Sequence, residues 1–179
     1  NKQSLLGTFS RVCGTRCQLS DIRGITMTKK AFYTWKQVEE MTQDIIRQLH
    51  VNQENIDSVV GLTRGGLTPA VLVSQYLDIP MHAVKVSLRD HVGAEDLEKI
   101  KEEIGITKGK RVLVIDDIND TGATLSAIKD AWGTEAVTYA VLINNEASTE
   151  DVDYSSIDIN KHEDNVWQVF PWEDWWQQR

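Results

Sequence analysis

Residues 111–125, Arg-Val-Leu-Val-Ile-Asp-Asp-Ile-Asn-Asp-Thr-Gly-Ala-Thr-Leu, constrain this chain more than any other stretch. Val112, Leu113, Val114 and Ile115 form an uninterrupted apolar run in which all but Leu113 are β-branched. A run this short suits a strand buried on both faces of a parallel sheet. It halts at two adjacent carboxylates, Asp116 and Asp117, and a third, Asp120, follows. The turn Thr121-Gly122-Ala123-Thr124 then leads into a helical segment, 124–132. An acidic ledge beside a hydroxyl-bearing helix start makes a site for a phosphorylated, polyhydroxylated ligand.

The flanking sequence supplies the rest of such a sheet. Thr34 and Gln37 fit a capping box, and Trp35, Val38, Met41, Ile45 and Leu49 give one apolar face to a helix over 34–50. His50 sits at its C-terminal end, compatible with the helix dipole. Residues 56–62 read as a buried strand, followed by Thr63-Arg64-Gly65-Gly66 and a helix over 68–77 with Pro69 in its first turn. Two glycines let backbone N–H groups approach an anion, and Arg64 adds a planar fork of donors. A third strand is expected over 81–88 with Lys85 inside it. Arg89-Asp90-His91 then reads as a solvated loop or a mobile lid, and Leu97, Ile100 and Ile104 mark a helix closed by Gly105. A further strand over 136–143 ends at Asn144-Asn145. Strands alternating with helices predict an α/β fold, an open, mainly parallel sheet flanked by helices. Its ligands bind beyond the strand C-termini, where the loops at 63–66, 89–91, 116–124 and 144–145 gather.

Composition narrows the classes of function. A chain of 179 residues favours one domain with a sizeable core. A net charge of −8 without a basic stripe speaks against nucleic-acid binding, and an anionic substrate must be captured by local cations or a metal. No apolar run is long enough for a membrane span, and cytoplasmic residence is the expectation. Cys13 and Cys17 stand without a nearby histidine and read as free thiols rather than a metal site.

The two ends differ from the middle. Residues 1–26 carry Lys2, Arg11, Arg16 and Arg23 against one acid, Asp21, and show no periodicity. They read as an extension or leader ahead of a single domain over 27–179, or else as an arm packing on a partner subunit. Residues 165–176 contain Trp167, Trp172, Trp175 and Trp176. That density suits a dimer interface, closure of the core, or an aromatic platform for a flat ligand such as a nucleobase.

Taken together, residues 114–124 resemble the 5-phosphoribosyl-1-pyrophosphate (PRPP) motif of type I phosphoribosyltransferases. Residues 61–67 look like the pyrophosphate loop of the bacterial and archaeal purine members, and 167–173 are similar to their C-terminal hood, here about 160–176. The likeness spans roughly 33–174 and is greatest to xanthine-guanine and hypoxanthine phosphoribosyltransferases. It implies a Mg²⁺-dependent transfer from PRPP to a purine base, with a homo-oligomer, dimer or tetramer, as the working form. Asp116 and Asp117 would take the ribose hydroxyls and hold Mg²⁺ directly or through water. Thr121, Gly122, Ala123 and Thr124 would cradle the 5′-phosphate, while Thr63, Arg64 and Gly65 take the pyrophosphate. Arg64 and Lys85 would stabilise the leaving group, and Asp120 would act as general base. Arg89, Asp90 and His91 would close as a lid, and Trp167, Gln168, Glu173 and Asn145 would receive the base.

One departure bears on the substrate. Members using a 6-oxo base carry a lysine just after the strand matching 136–143, where this chain has Asn144-Asn145-Glu146. An asparagine amide both donates and accepts, which leaves adenine or a non-purine open beside guanine, xanthine and hypoxanthine. A second expectation follows from that gap: a PRPP- or nucleotide-sensing regulatory protein of the same fold, without turnover.

Overall fold

A computed structural model of the chain describes residues 29–86, 94–173 and 176. The region 1–26 with Cys13 and Cys17, the residues Arg89, Asp90 and His91, and Trp175 lie outside the described residues.

The main sheet has five strands, all parallel: β2 (Ser58–Leu62), β3 (Met81–Val84), β4 (Val112–Asn119), β5 (Val137–Asn145) and β6 (Tyr154–Ile159), in the order β3-β2-β4-β5-β6. Four helices accompany it: α1 (Trp35–Val51), α2 (Leu67–Leu77), α3 (Ala94–Ile104) and α4 (Ala123–Trp132). Alternation along β4 explains how both faces are covered. Leu113 and Ile115 pack with Ile45, Ile46 and Leu49 of α1 and Ala70 and Val73 of α2. Val112 and Val114 pack on the opposite face with Leu97 and Ile104 of α3 and Leu125, Ile128 and Trp132 of α4. The Trp132 indole donates to the Leu97 carbonyl at 2.9 Å and ties the two helices of that face together.

Helix α1 begins with the expected box: the Gln37 backbone N–H donates to Thr34 Oγ1, and the Thr34 backbone N–H donates to Gln37 Oε1. Gly105 closes α3 with φ of +90°. Three expectations are corrected. Strand β3 ends at Val84, so Lys85 lies beyond it and is exposed rather than carried inside a strand. Strand β4 does not stop at the carboxylates but continues to Asn119, because β5 keeps pairing with it as far as Asn144. The third is the extent of the sheet, which gains an edge strand, β6, whose Tyr-Ser-Ser-Ile-Asp-Ile carries little apolar pattern because it is only half-buried.

A second, two-stranded parallel sheet stands apart from the first. It pairs β1 (Lys29–Phe32) with β7 (Val166–Val169) and forms the hood. Phe170, 1% exposed, anchors it among Val38, Met41, Leu142 and Ile143. Stacked rings continue the anchor, Tyr33 on Phe170 at 5.4 Å and Phe170 on Trp172 at 4.8 Å. Phe170 and Trp172 thus serve core closure, whereas Trp167 is 52% exposed.

Candidate active site

The strand order places a topological switch between β2 and β4, where successive crossovers run to opposite sides. Open sheets of this kind bind ligands in the crevice at that point. The register shows how the crevice opens. Strand β2 pairs with β4 only up to Gly61 with Ile115, and the chain then turns away through 63–66. From Asp116 onward, β4 is paired on its β5 side.

The loop at 63–66 crosses close to the acids, and only glycine permits that approach. A methyl group on Gly65 would collide with the Asp117 carboxylate, and one on Gly66 with the Ile115 carbonyl oxygen. The Thr63–Arg64 peptide is cis, and the Thr63 N–H donates to the Val84 carbonyl at 2.9 Å.

Both helices that start at this edge, α2 at Gly66 and α4 at Gly122, lack a side-chain cap and any acid in the first turn. Helix α1, which starts elsewhere, has the complete capping box. With no side-chain cap and no acid in the first turn, both starts present positive helix ends to anions, and at α2 the Asp116 and Asp117 carboxylates stand beside the Gly65-Gly66 turn. Gly122 takes φ of +89°, a conformation that suits glycine, and lies beneath Thr149 and Ser148. The Thr149 hydroxyl donates to the Thr121 carbonyl at 2.9 Å and braces the turn from behind.

The acids themselves resist ionisation. Burial, and then the charge of Asp117, hold the Asp116 carboxyl well above the usual aspartate range, although the Asp117 N–H donates to it at 2.9 Å. Burial likewise raises Asp117, with repulsion from Glu173 of the hood contributing. Such a pair is completed by partners that favour the charged form, such as hydroxyl donors or a cation. No cluster of three or more metal-ligating side chains occurs among the described residues. A metal here would draw its remaining ligands from a substrate, as Mg²⁺ commonly does.

Three recesses meet at Asp117. One of about 250 Å³ follows the ledge and turn from Asp116 to Leu125, including Asp120, Thr121, Gly122, Ala123 and Thr124. A second of about 580 Å³ is lined by Arg64, Gly65, Thr68, Trp172, Glu173 and Trp176 besides Asp117. The third, about 60 Å³, lies under the hood between Asp117, Ile118, Asp120, Lys161, Trp167, Gln168, Phe170 and Glu173. Glu173 is held by the Phe170 N–H, which donates to it at 2.8 Å. The Gln168 side chain accepts from the Tyr33 hydroxyl at 2.9 Å and donates to the Val166 carbonyl.

Two residues change places relative to expectation. Asn145 does not line the hood recess: it is 5% exposed, and its amide is committed to the backbone of Asp120, Ala147 and Lys161. Lys161, which sequence reasoning missed, enters that recess instead. Its ammonium lies 2.8 Å from Asp120 Oδ1 and 5.7 Å from the centre of the Trp167 ring. Nothing in Asn-Lys-His-Glu-Asp separates it from a solvated turn; its inward place depends on distant partners, the Asn145 side chain that accepts from its N–H and the Asp120 carboxylate. Lys85 sits at the same sheet edge beside Thr63 but lines none of the three recesses.

Residues 29–177 match the family model described as "Phosphoribosyl transferase domain". The chain is 27% identical to a xanthine-guanine phosphoribosyltransferase of Idiomarina loihiensis, over 81% of this chain and 88% of that protein. Among solved structures it resembles a purine phosphoribosyltransferase of Pyrococcus horikoshii, with a TM-score of 0.59 at 27% identity, covering 82% of this chain and 95% of that one. The fold is shared with a xanthine-guanine-hypoxanthine phosphoribosyltransferase of Helicobacter pylori, with a TM-score of 0.61 at 17% identity, covering 83% and 96%.

Proposed function

The chain belongs to the phosphoribosyl transferase domain family, and from that membership we propose that it is an enzyme transferring the 5-phosphoribosyl group of PRPP to a 6-oxopurine, with release of pyrophosphate. The observation that carries this reading is the meeting of three recesses at Asp117, one with an uncapped helix start, one with Arg64 at a second uncapped helix start, and one under Trp167. A ligand with a phosphate at one end and a pyrophosphate at the other fits the first two, and a flat base fits the third.

Each group then has a physical task. The amides and hydroxyls of 121–124 hold the 5′-phosphate at the α4 N-terminus. Asp116 and Asp117 accept from the sugar hydroxyls, which favours the ionised form that burial opposes. Arg64 and the α2 amides meet the charge growing on the departing pyrophosphate. Asp120, which lines both the phosphate and hood recesses, accepts the ring proton of the incoming base. Asp116 and Asp117 are the residues that would hold Mg²⁺, and when bound it would neutralise phosphate charge. Lys85, exposed beside the pyrophosphate loop, adds a cation to that edge. The outer face of α2 exposes Val71, Leu72 and Tyr76, which supports a homo-oligomer.

A missing base-side lysine is one of the motives for the regulatory alternative, and Lys161 in the hood recess supports the enzyme reading against it. Incubation with PRPP, Mg²⁺ and each of hypoxanthine, guanine, xanthine and adenine separates the two. Mononucleotide from the 6-oxo bases is the expected result; PRPP binding by calorimetry with no mononucleotide from any base favours the sensor.

The Gly65 approach gives a prediction at the pyrophosphate end. In Gly65→Ala the new methyl pushes Asp117 off its position. Overpacking of this kind costs about 1–3 kcal/mol, so PRPP affinity should fall by roughly tenfold. Calorimetric titration of the variant with PRPP checks this, and an unchanged affinity shows that the loop has room to yield.

A further inference from the structure

Resting on the transferase reading, we infer that Asn119 and Thr149 are positioning residues for the 5′-phosphate: with segment 148–151 they hold the 121–124 turn from behind and so aim its N–H groups into the phosphate recess.

That segment is fastened on both sides of the turn. Ahead of the turn stands Asn119, the last residue of β4 and 2% exposed. Its Nδ2 donates to the Glu150 carbonyl at 2.7 Å and to Asn144 Oδ1 at 2.9 Å. Its Oδ1 accepts from the Ser148 hydroxyl at 2.9 Å. Beyond the turn, Lys129 of α4 donates to the Asp151 carbonyl at 2.6 Å and to the Glu150 carboxylate at 3.1 Å. One distant strap thus ties the strand before the turn to the helix after it. Gly122 lets the strap close, since a methyl group there would collide with Thr149 Oγ1.

What the strap grips is a carbonyl. The Thr121 oxygen accepts from the Thr149 hydroxyl at 2.9 Å and from the Thr149 N–H at 3.3 Å. The preceding carbonyl, of Asp120, accepts from the Asn145 side chain at 2.8 Å. Both peptides are trans, so each is planar with its C=O and N–H pointing in opposite directions. Two successive carbonyls drawn toward 145–149 therefore turn the N–H groups of Thr121 and Gly122 the other way. Thr121 and Gly122 line the phosphate recess, and residues 145–150 do not. Successive N–H groups on one side make a concave anion site, whereas a flipped peptide would present its oxygen to the phosphate.

The test separates the two ends of the substrate. Ribose 5-phosphate carries the phosphate end alone, and pyrophosphate with Mg²⁺ the other end alone; each is titrated by calorimetry. Thr149→Val keeps the shape of an exposed side chain and removes its hydroxyl. Its affinity for ribose 5-phosphate should fall about three- to tenfold, as for loss of one hydrogen bond, with pyrophosphate affinity unchanged. Thr149→Ser, which keeps the hydroxyl, should bind both as wild type does. Asn119→Ala should lose more of the ribose 5-phosphate affinity, and Thr149→Val decides alone if that buried substitution prevents folding. Ribose 5-phosphate affinity in Thr149→Val within about twofold of wild type overturns the inference, and so does an equal loss for both ligands, which marks a merely structural role. Dependence on Thr149 in a chain making no nucleotide from PRPP upholds the inference and contradicts the transferase reading instead. A wild-type chain that does not bind ribose 5-phosphate overturns both.

Discussion

Replacing Asp120 with asparagine is expected to lower turnover by roughly two to four powers of ten, the range for loss of a general base. The substitution is nearly isosteric, so Lys161 keeps an oxygen to donate to and the hood recess keeps its shape. What disappears is the capacity to take a proton from the base as its other ring nitrogen attacks the sugar. PRPP affinity should change little, because Asp116, Asp117 and the 121–124 turn are untouched. Initial rates at saturating PRPP and base, beside a calorimetric titration with PRPP, check both halves. An equal loss of turnover and PRPP binding would instead make Asp120 a positioning group for the substrate.

Asparagine at position 116 should have the opposite balance, costing binding and improving the fold. The ligand-free chain holds Asp116 above its ordinary value, chiefly by burial and then by the Asp117 charge. The native state therefore keeps a proton that the unfolded chain has already released. Stability declines as pH rises from the ordinary value of 3.8 through the raised one, and is lowest above it. Asp116→Asn removes that penalty while its side-chain oxygen still accepts from the Asp117 N–H. Its melting temperature at neutral pH should exceed wild type by about 2 °C or more, and the gap should close below the aspartate range. PRPP affinity should fall about tenfold or more, since a charged acceptor for a sugar hydroxyl is lost. A variant that melts lower at neutral pH would show that the ledge is not strained by its own charge.

Legibility in the sequence followed locality. The run at 112–115 ending in acids, the Thr34–Gln37 box and the Gly65-Gly66 turn each act over a few residues, and each could be read directly. The hood could be named but not built. Its sheet joins Lys-Lys-Ala-Phe to Val-Trp-Gln-Val across more than 130 residues, and neither strand is long enough to announce itself. Lys161 went unseen because its partners too are distant in the chain. Asn145 misled for another, since an amide that can donate or accept gives no sign of whether backbone has already claimed it. The apolar run at 81–88 points to a strand through Lys85 because it outlasts the pairing that defines β3.

The central claim is that the three recesses around Asp117 hold the two ends of PRPP and a base for a single transfer. The most direct measurement mixes the chain with PRPP, Mg²⁺ and hypoxanthine and counts both products. The account predicts inosine 5′-monophosphate and pyrophosphate appearing one for one, with neither formed when the base is omitted. PRPP consumed without nucleotide, or bound with neither product, would contradict it.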